Sequence, residues 1–255
     1  MKENRQKQIL EFINRREYVP FSELCEYFHV SNATMRRDLV EMDRKHLIHR
    51  EHGGARCLFR DQDPTTIQTR LGLSNQEKTV IAQRAFQFIG DNDSIILDAS
   101  STCLKIAEIV ARSPLHLTIV TNYFEIASLL KDSPKIDLLF LGGFVRKQFN
   151  STTGTFAEMM VDNLQADIAF IGCDSISLEK GAANNKMDVV DLKKKFIQNS
   201  NTSICVCDNS KFTKNAMFPF AEINEFKAII TDENIDLPTV QAFQDHEVPL
   251  IIARQ

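Results

Sequence analysis

Seven short apolar runs, "SIILD", "LTIVT", "DLLFLGG", "DIAFIG", "TSICVCD", "KAIIT" and "VPLIIA", recur between Asp93 and Ala253. Helical stretches lie between most of them, among them "CLKIAEIVA", "FEIASLL" and "MDVVDLKKKFIQ". A strand that is apolar throughout needs cover on both faces. A helix between successive strands brings the chain back so that the next strand runs parallel. The pattern predicts an α/β domain: a mostly parallel sheet with helices on both sides. It opens with the helix "EKTVIAQRAFQFI", which begins at Glu77.

Open sheets of this kind bind ligands beyond the carboxyl ends of their strands, so the residues that follow each run are the ones to read. They are Asp98-Ala99-Ser100-Ser101-Thr102, Thr121-Asn122, Gly142-Gly143 with Arg146 close by, Gly172-Cys173-Asp174-Ser175, and Asp208-Asn209-Ser210-Lys211. "DASST" entering a helix makes an anion cradle, because free backbone N–H groups and the helix dipole favour phosphate and the hydroxyls add donors. Arg146 and Lys211 supply positive charge. Each segment alone is more often a plain helix cap or turn than a binding site; their convergence at one sheet edge favours a ligand site. No G-x-G-x-x-G follows a strand, so a dinucleotide fingerprint is absent from the sequence.

The first 56 residues follow another pattern. "RQKQILEFINRRE" places Ile9, Leu10, Phe12 and Ile13 on one side of a helix, and Pro20 in "YVP" interrupts it. "FSELCEYF" carries Leu24, Cys25 and Phe28 at helical spacing. Ser31 then offers a good N-cap for a helix bearing Arg36 and Arg37. Helix, short turn and capped helix is the helix-turn-helix layout. Met35, Leu39 and Met42 share the face that packs inward, while Ser31, Asn32, Thr34, Arg36 and Arg37 project elsewhere with groups suited to base edges and phosphates. "LIHRE" reads as a strand and Gly53–Gly54 as a tight turn whose bare backbone approaches DNA, with Arg50, His52 and Arg56 flanking this wing. The plainer alternative is a three-helix packing module whose arginines decorate a solvated face; the full order of elements favours DNA.

Charge agrees with that division. Residues 1–56 hold 11 Lys+Arg against 9 Asp+Glu, and the remainder 19 against 25, within a net charge of −4. A mildly basic head on an acidic body suits a polyanion at one end only. The six cysteines lack C-x-x-C pairs or histidines at zinc spacing; Cys205 and Cys207 form a C-x-C in a strand, so both point to one face as buried thiols, and no metal site or cofactor is expected. No apolar stretch is long enough for a membrane helix, and "MKENRQKQIL" has no secretory core, so the expected compartment is the cytoplasm.

"SNATMRRDLVEMDRKHLIHREHGGA" resembles the signature of the DeoR family of bacterial transcription regulators, with its "S-x-x-T-[IV]-R-R-D-L" recognition helix and "R-x-H-G-G-A" wing. His29 and His46 stand where the family has glycines. "LDASSTC", "VTN", "LGG", Gly154, "DIAFIG" and the Asp208–Phe212 stretch are similar to landmarks of that family's sensor domain. The resemblance implies a fold like that of ribose-5-phosphate isomerase and glucosamine-phosphate deaminase, and a phosphorylated sugar as effector. It implies that Asp98, Ser100, Ser101 and Thr102 hold the phosphate or sugar, and that Thr121, Asn122, Gly143, Lys193 and Lys211 line the pocket. Arg146, Asp174 and Asp208 complete the candidate set.

The expected division is a winged helix-turn-helix domain over 1–56, a linker over 57–76 and a sensor domain over 77–255. Two functions compete. One is a DNA-binding regulator, a repressor of a carbohydrate-utilisation operon released by a phosphosugar; the other is a sugar-phosphate isomerase or deaminase with an attached helical module. An isomerase needs a poised carboxylate and an acid or base in a closing glycine-rich loop. "GCDSIS" and "KGAANNKMD" keep Asp174, Lys180 and Asp188 but lack the acidic pair and most glycines that related isomerases carry, which favours the regulator. One winged helix buries too little DNA surface, about 600–1,000 Å², for tight specific binding, so a dimer or tetramer is expected.

Overall fold

The structure, a computed structural model, describes residues 5–6, 8–10, 12–13, 18–44, 47–51, 53–57, 70 and 73–254. The chain divides into two compact units, Met1–Thr65 and Thr66–Gln255.

In the first unit, residues 5–6, 8–10 and 12–13 are helical. β1 (Tyr18–Pro20), α1 (Phe21–Tyr27), α2 (Asn32–Arg44), β2 (Ile48–Glu51) and β3 (Gly54–Cys57) follow. The strands pair antiparallel in the order β1-β3-β2. "YVP", which reads as a break between helices, is therefore a strand at the sheet edge, where proline's missing N–H costs least. Met35, Leu39 and Met42 of α2 pack with Ile9, Ile13, Val19, Leu24, Ile48 and Ala55 in one apolar core. Ser31 opens α2 as its cap: its Oγ accepts the Thr34 N–H at 3.3 Å and lies 3.0 Å from the Thr34 hydroxyl. His29 turns with φ 50°, a left-handed conformation that histidine enters more readily than most residues.

Asp38 went unnoticed in the sequence because it sits beside two arginines that draw the eye. It is buried, and it accepts hydrogen bonds from Arg5 Nε at 2.7 Å and Gln6 Nε2 at 3.4 Å. A carboxylate on the inward side of α2 thus ties that helix to the start of the chain.

The second unit contains α3 (Asn75–Phe86), β4 (Ser94–Leu97), α4 (Ser101–Val110), β5 (Leu117–Thr121), α5 (Phe124–Leu130), β6 (Ile136–Phe140), β7 (Phe144–Arg146), β8 (Ser151–Thr153), α6 (Thr155–Val161), β9 (Ala166–Ile171), β10 (Ser175–Ser177), β11 (Gly181–Asn184), α7 (Val190–Gln198), β12 (Ser200–Val206), β13 (Phe218–Ala221), β14 (Ala228–Asp232), α8 (Leu237–Asp245) and β15 (Leu250–Ala253). All seven apolar runs become strands of one sheet, in the order β15-β14-β12-β9-β4-β5-β6. Every neighbouring pair is parallel.

Successive residues of each strand feed opposite cores. Ile95 and Leu97 pack with helices α3, α4 and α5 on one face, while Ile96 packs with α6, α7 and α8 on the other. This two-sided burial is why the runs are continuously apolar. Two small antiparallel sheets sit apart from the main one, the β7–β8 hairpin and the order β10-β11-β13.

From β4 the chain builds outward through β5 to β6, then crosses to β9 on the other side of β4 and continues through β12, β14 and β15. The winding direction reverses between β4 and β9. Loops leaving their carboxyl ends diverge there and open a crevice.

Candidate functional site

Asp98 ends β4 and Gly172 ends β9, and the two chain segments lock together. The Asp98 N–H donates to Phe170 O at 3.2 Å, and the Gly172 N–H donates to Asp98 Oδ2 at 3.0 Å. Lys193, one turn into α7, donates to the same Oδ2 at 2.7 Å and to Gly172 O at 2.6 Å. Lys193 and Asp98 are 5% and 2% exposed, so this is a buried ion pair whose remaining polar capacity matters. Gly172 is required by proximity: a Cβ there would come within 2.7 Å of Ser100 Cβ.

A narrow crevice lies above this lock. Asp98, Ser100, Asn122, Arg146, Asp174 and Lys193, all singled out by the sequence, line it together with Arg70, Phe149, Asn184 and Lys186. Four cations thus face two carboxylates. Phe149, in the β7–β8 turn, is flanked by two guanidiniums, with Arg146 4.2 Å and Arg70 5.2 Å from its ring centre. Arg146 also forks onto Asp188, with Nε to Oδ2 at 2.8 Å and Nη2 to Oδ1 at 3.1 Å.

Asp174 is held by Arg70 Nη2 at 2.9 Å, by Asn184 Nδ2 at 3.0 Å and by the Asn185 N–H at 2.9 Å. Burial alone would push its carboxyl up. Arg70, the Asn185 amide, Lys211 and Lys193 outweigh that and keep it below the usual carboxylate range. Two acceptors stand open: the side-chain carbonyl oxygens of Asn122 and Asn184 are buried without a hydrogen-bond partner. Orphaned buried acceptors are costly, and a ligand with several hydroxyl donors satisfies both.

The other sequence-selected residues sit elsewhere. Ser101 and Thr102 are buried in the first turn of α4 and do not line the cleft. The Thr121 hydroxyl is turned into the sheet, donating to Leu97 O at 2.7 Å. Gly143 packs against the Thr153 carbonyl in the β7–β8 region. Asp208 caps the turn Asn209–Lys211, accepting the Ser210 N–H at 3.1 Å, and Lys211 follows in that turn outside the lining. For these six the after-strand position reflects a local structural task, not the crevice.

Arg70, Phe149, Asn184 and Lys186 escaped the sequence reading. Arg70 lies in the stretch expected to be a linker, and the other three lie in or beside short strands without apolar alternation. Arg70 is held in place through its backbone: the buried Lys78 donates to Arg70 O at 2.6 Å and also to Leu73 O. Of the residues an isomerase reading would need, Asp174 and Asp188 are occupied by arginines, and Lys180 is exposed and reaches Asn215 at 3.3 Å.

In the first unit, Ser31, Asn32, Arg36 and Arg37 are exposed at the start of α2, with Thr34 half-buried beside them. Arg50, Gly53 and Arg56 are exposed on the β2–β3 hairpin. The Arg36 and Arg56 guanidiniums lie 5.8 Å from the ring centres of Phe21 and Tyr18, and Arg56 Nε also donates to Glu51 Oε1 at 2.9 Å. His52 lies outside the described residues. Gly54 corrects the sequence expectation of backbone open to DNA: it is buried against β1, where a Cβ would meet Val19 O at 2.4 Å.

A capped helix with an exposed arginine pair beside a basic hairpin is the layout of a helix-turn-helix DNA-binding domain, and it is followed here by an α/β domain with a cleft at its sheet switch point. Residues 5–60 match the DeoR-like helix-turn-helix domain and residues 73–233 the DeoR C terminal sensor domain. An uncharacterized HTH-type transcriptional regulator of Bacillus subtilis, YulB, is 30% identical over 96% of this chain and 94% of its own. The HTH-type transcriptional repressor GlcR of the same organism is 31% identical over 99% and 97%. The regulator GolR of Listeria innocua is 28% identical over 98% of each. Among solved structures, a ribose 5-phosphate isomerase from Methanocaldococcus jannaschii is similar with a TM-score of 0.40 and 19% identity over 54% of each chain. The chain belongs to the DeoR family, and it is a regulator, not an enzyme. No helix among the described residues is long and apolar enough to cross a membrane.

Proposed function

We propose that the crevice between β4 and β9 binds a phosphorylated sugar, and that its occupancy lowers the affinity of the first unit for operator DNA, so that the protein represses a carbohydrate-utilisation operon until the sugar appears. The observation that carries this reading is the pairing of an excess of cations, Arg70, Arg146, Lys186 and Lys193, with two buried, unpartnered carbonyl acceptors on Asn122 and Asn184. Arginine forks suit a phosphate, and lone amide oxygens suit sugar hydroxyls. The names of relatives point the same way: one is a putative aga operon transcriptional repressor and another a glycerol-3-phosphate regulon repressor, both of Escherichia coli.

DNA contact falls to Ser31, Asn32, Thr34, Arg36 and Arg37 of the recognition helix, and to Arg50, Gly53 and Arg56 of the hairpin. Two such heads in a dimer or tetramer reading repeated half-sites supply the surface that one head lacks. Separate substitutions in the full chain test the two roles. Arg37→Ala abolishes retention of its own promoter fragment in a gel, while stabilisation by the active phosphosugar in a thermal-shift screen persists. Arg146→Ala leaves the fragment retained but weakens the phosphosugar roughly tenfold or more, as expected for one lost charge-assisted contact of about 1.5–3 kcal/mol. A fragment that stays bound under every phosphosugar in the screen overturns the reading.

A further inference from the structure

Cys173, Cys205 and Cys207 bring their sulfurs to one point, all within 4.8 Å of one another. They come from two adjacent strand ends. Cys205 is paired with Ile171 across β12 and β9, so Cys173 and Cys207, two residues further along each chain, fall side by side. Strand alternation turns all three to the face covered by α6, α7 and α8. The Cys205 thiol donates to Cys173 Sγ at 3.9 Å. Cys103 shows the ordinary use of a buried cysteine, packed as a small apolar residue and donating to Phe170 O at 3.3 Å. The triple cluster differs because its members pack on each other.

We propose that Cys173, Cys205 and Cys207 form a site for a soft, thiophilic metal ion in three-coordinate geometry, with Cu(I) as its type. Thiolates select soft ions. At a metal–sulfur distance of about 2.3 Å, a planar three-sulfur shell sets its sulfurs about 4.0 Å apart, close to the 3.9 Å between Cys173 and Cys205. Structural zinc takes four ligands, and among the described residues no histidine or carboxylate joins the three thiols.

A disulfide between Cys173 and Cys205 fits less well. From strand spacing and rise, Cys173 and Cys205 are diagonal neighbours about 8 Å apart at Cα, beyond the roughly 7 Å that a bridge spans without backbone movement. Only Cys173 and Cys207 lie within easy bridging range.

Three thiolates around a monovalent ion leave two negative charges, and a cation stands near. Lys193 donates to Gly172 O, the residue before Cys173, although it shares its charge with Asp98. Cys173 lines the cleft, whereas Cys205 and Cys207 are enclosed in the core, so an ion enters from the cleft and meets Cys173 first. Each thiol that ligates releases its proton to solvent, and affinity rises with pH accordingly.

The test uses the full, reduced chain without oxygen or sugar. Cu(I) is offered against a chromophoric Cu(I) chelator, and Zn²⁺ is offered in a parallel titration. One Cu(I) per chain is expected, with X-ray absorption showing a shell of three sulfurs. Cys205→Ala and Cys207→Ser should each weaken it by more than about a hundredfold, beyond the roughly 10–100-fold that loss of a supporting group costs, while Cys103→Ser leaves it unchanged. Circular dichroism identifies a variant that has failed to fold, and the absorption shell of the wild-type chain then decides alone. A shell containing oxygen or nitrogen, tighter retention of Zn²⁺ than of Cu(I), or affinity unaltered in folded Cys205→Ala and Cys207→Ser overturns the proposal. So does a chain that takes no Cu(I) and instead closes a Cys173–Cys207 disulfide with stoichiometric hydroperoxide.

Discussion

Gly172 shows how one residue sets the geometry of the cleft floor. It is the place where β9 leaves the sheet beside the β4 end, and the Ser100 side chain occupies the space a Cβ would need. Gly172→Ala therefore has to move Ser100, and with it the Asp98 carboxylate that Lys193 and the Gly172 amide share. Overpacking of this sort costs about 1–3 kcal/mol. A lower urea midpoint and loss of ligand-induced stabilisation are expected together. A midpoint equal to that of the wild type would mean that the two strand ends are not held in contact in solution. Residue identity alone foretold Asp98, Ser100 and Asn122 at the cleft but misplaced Thr121, because the same hydroxyl that suits a ligand also suits a neighbouring strand's carbonyl, here Leu97 O.

At the scale of elements, the large sheet was legible and the small ones were not. A strand covered on both faces must be apolar at every position, so "SIIL" and "LTIVT" declare themselves. β8, "STT", and β11, "GAAN", are short and carry small or polar side chains, which leaves no period to read. Arg146, Phe149, Asn184 and Lys186 are positioned by these minor strands; Arg146 is legible from its place after "LGG", and the other three are not. Asp38 was hidden for the opposite reason: a carboxylate on the inner face of α2 is read as polar surface until its partners Arg5 and Gln6 are seen.

Helix α3 makes a titration prediction. Burial lowers its Lys78 from an ordinary 10.5 to about 8. Between those values the unfolded chain holds a proton that the folded chain has released, so stability gains from this group as pH rises through the window. Below about pH 8 both states are protonated and the gain is absent. Denaturant midpoints at about pH 7.5 and 10, compared between wild type and Lys78→Met, should show that the variant lacks this rise. Parallel behaviour of the two proteins would place Lys78 in solvent.

For the whole molecule, DNA affinity is expected to fall steeply with salt, since arginines on the recognition helix and hairpin displace counterions from phosphates. Arg50→Ala, on the exposed face of β2, should reduce the slope of log affinity against log salt by about 1 while weakening all sequences alike. Titrations of one promoter fragment and one unrelated duplex at several salt concentrations check this. A slope that does not change, with preference for the promoter lost, would assign Arg50 to base reading.

The β7–β8 hairpin is fastened to the ends of β5 and β6 by hydrogen bonds from Thr152 to Asn122 and Leu141, and by the fork from Arg146 to Asp188, while its turn carries Phe149. It brings Arg146 and Phe149 to the cleft, whereas the seven parallel strands keep their own ladders and cores. Exchanges confined to that turn therefore reshape the rim of the crevice while every rung of the large sheet stays in place.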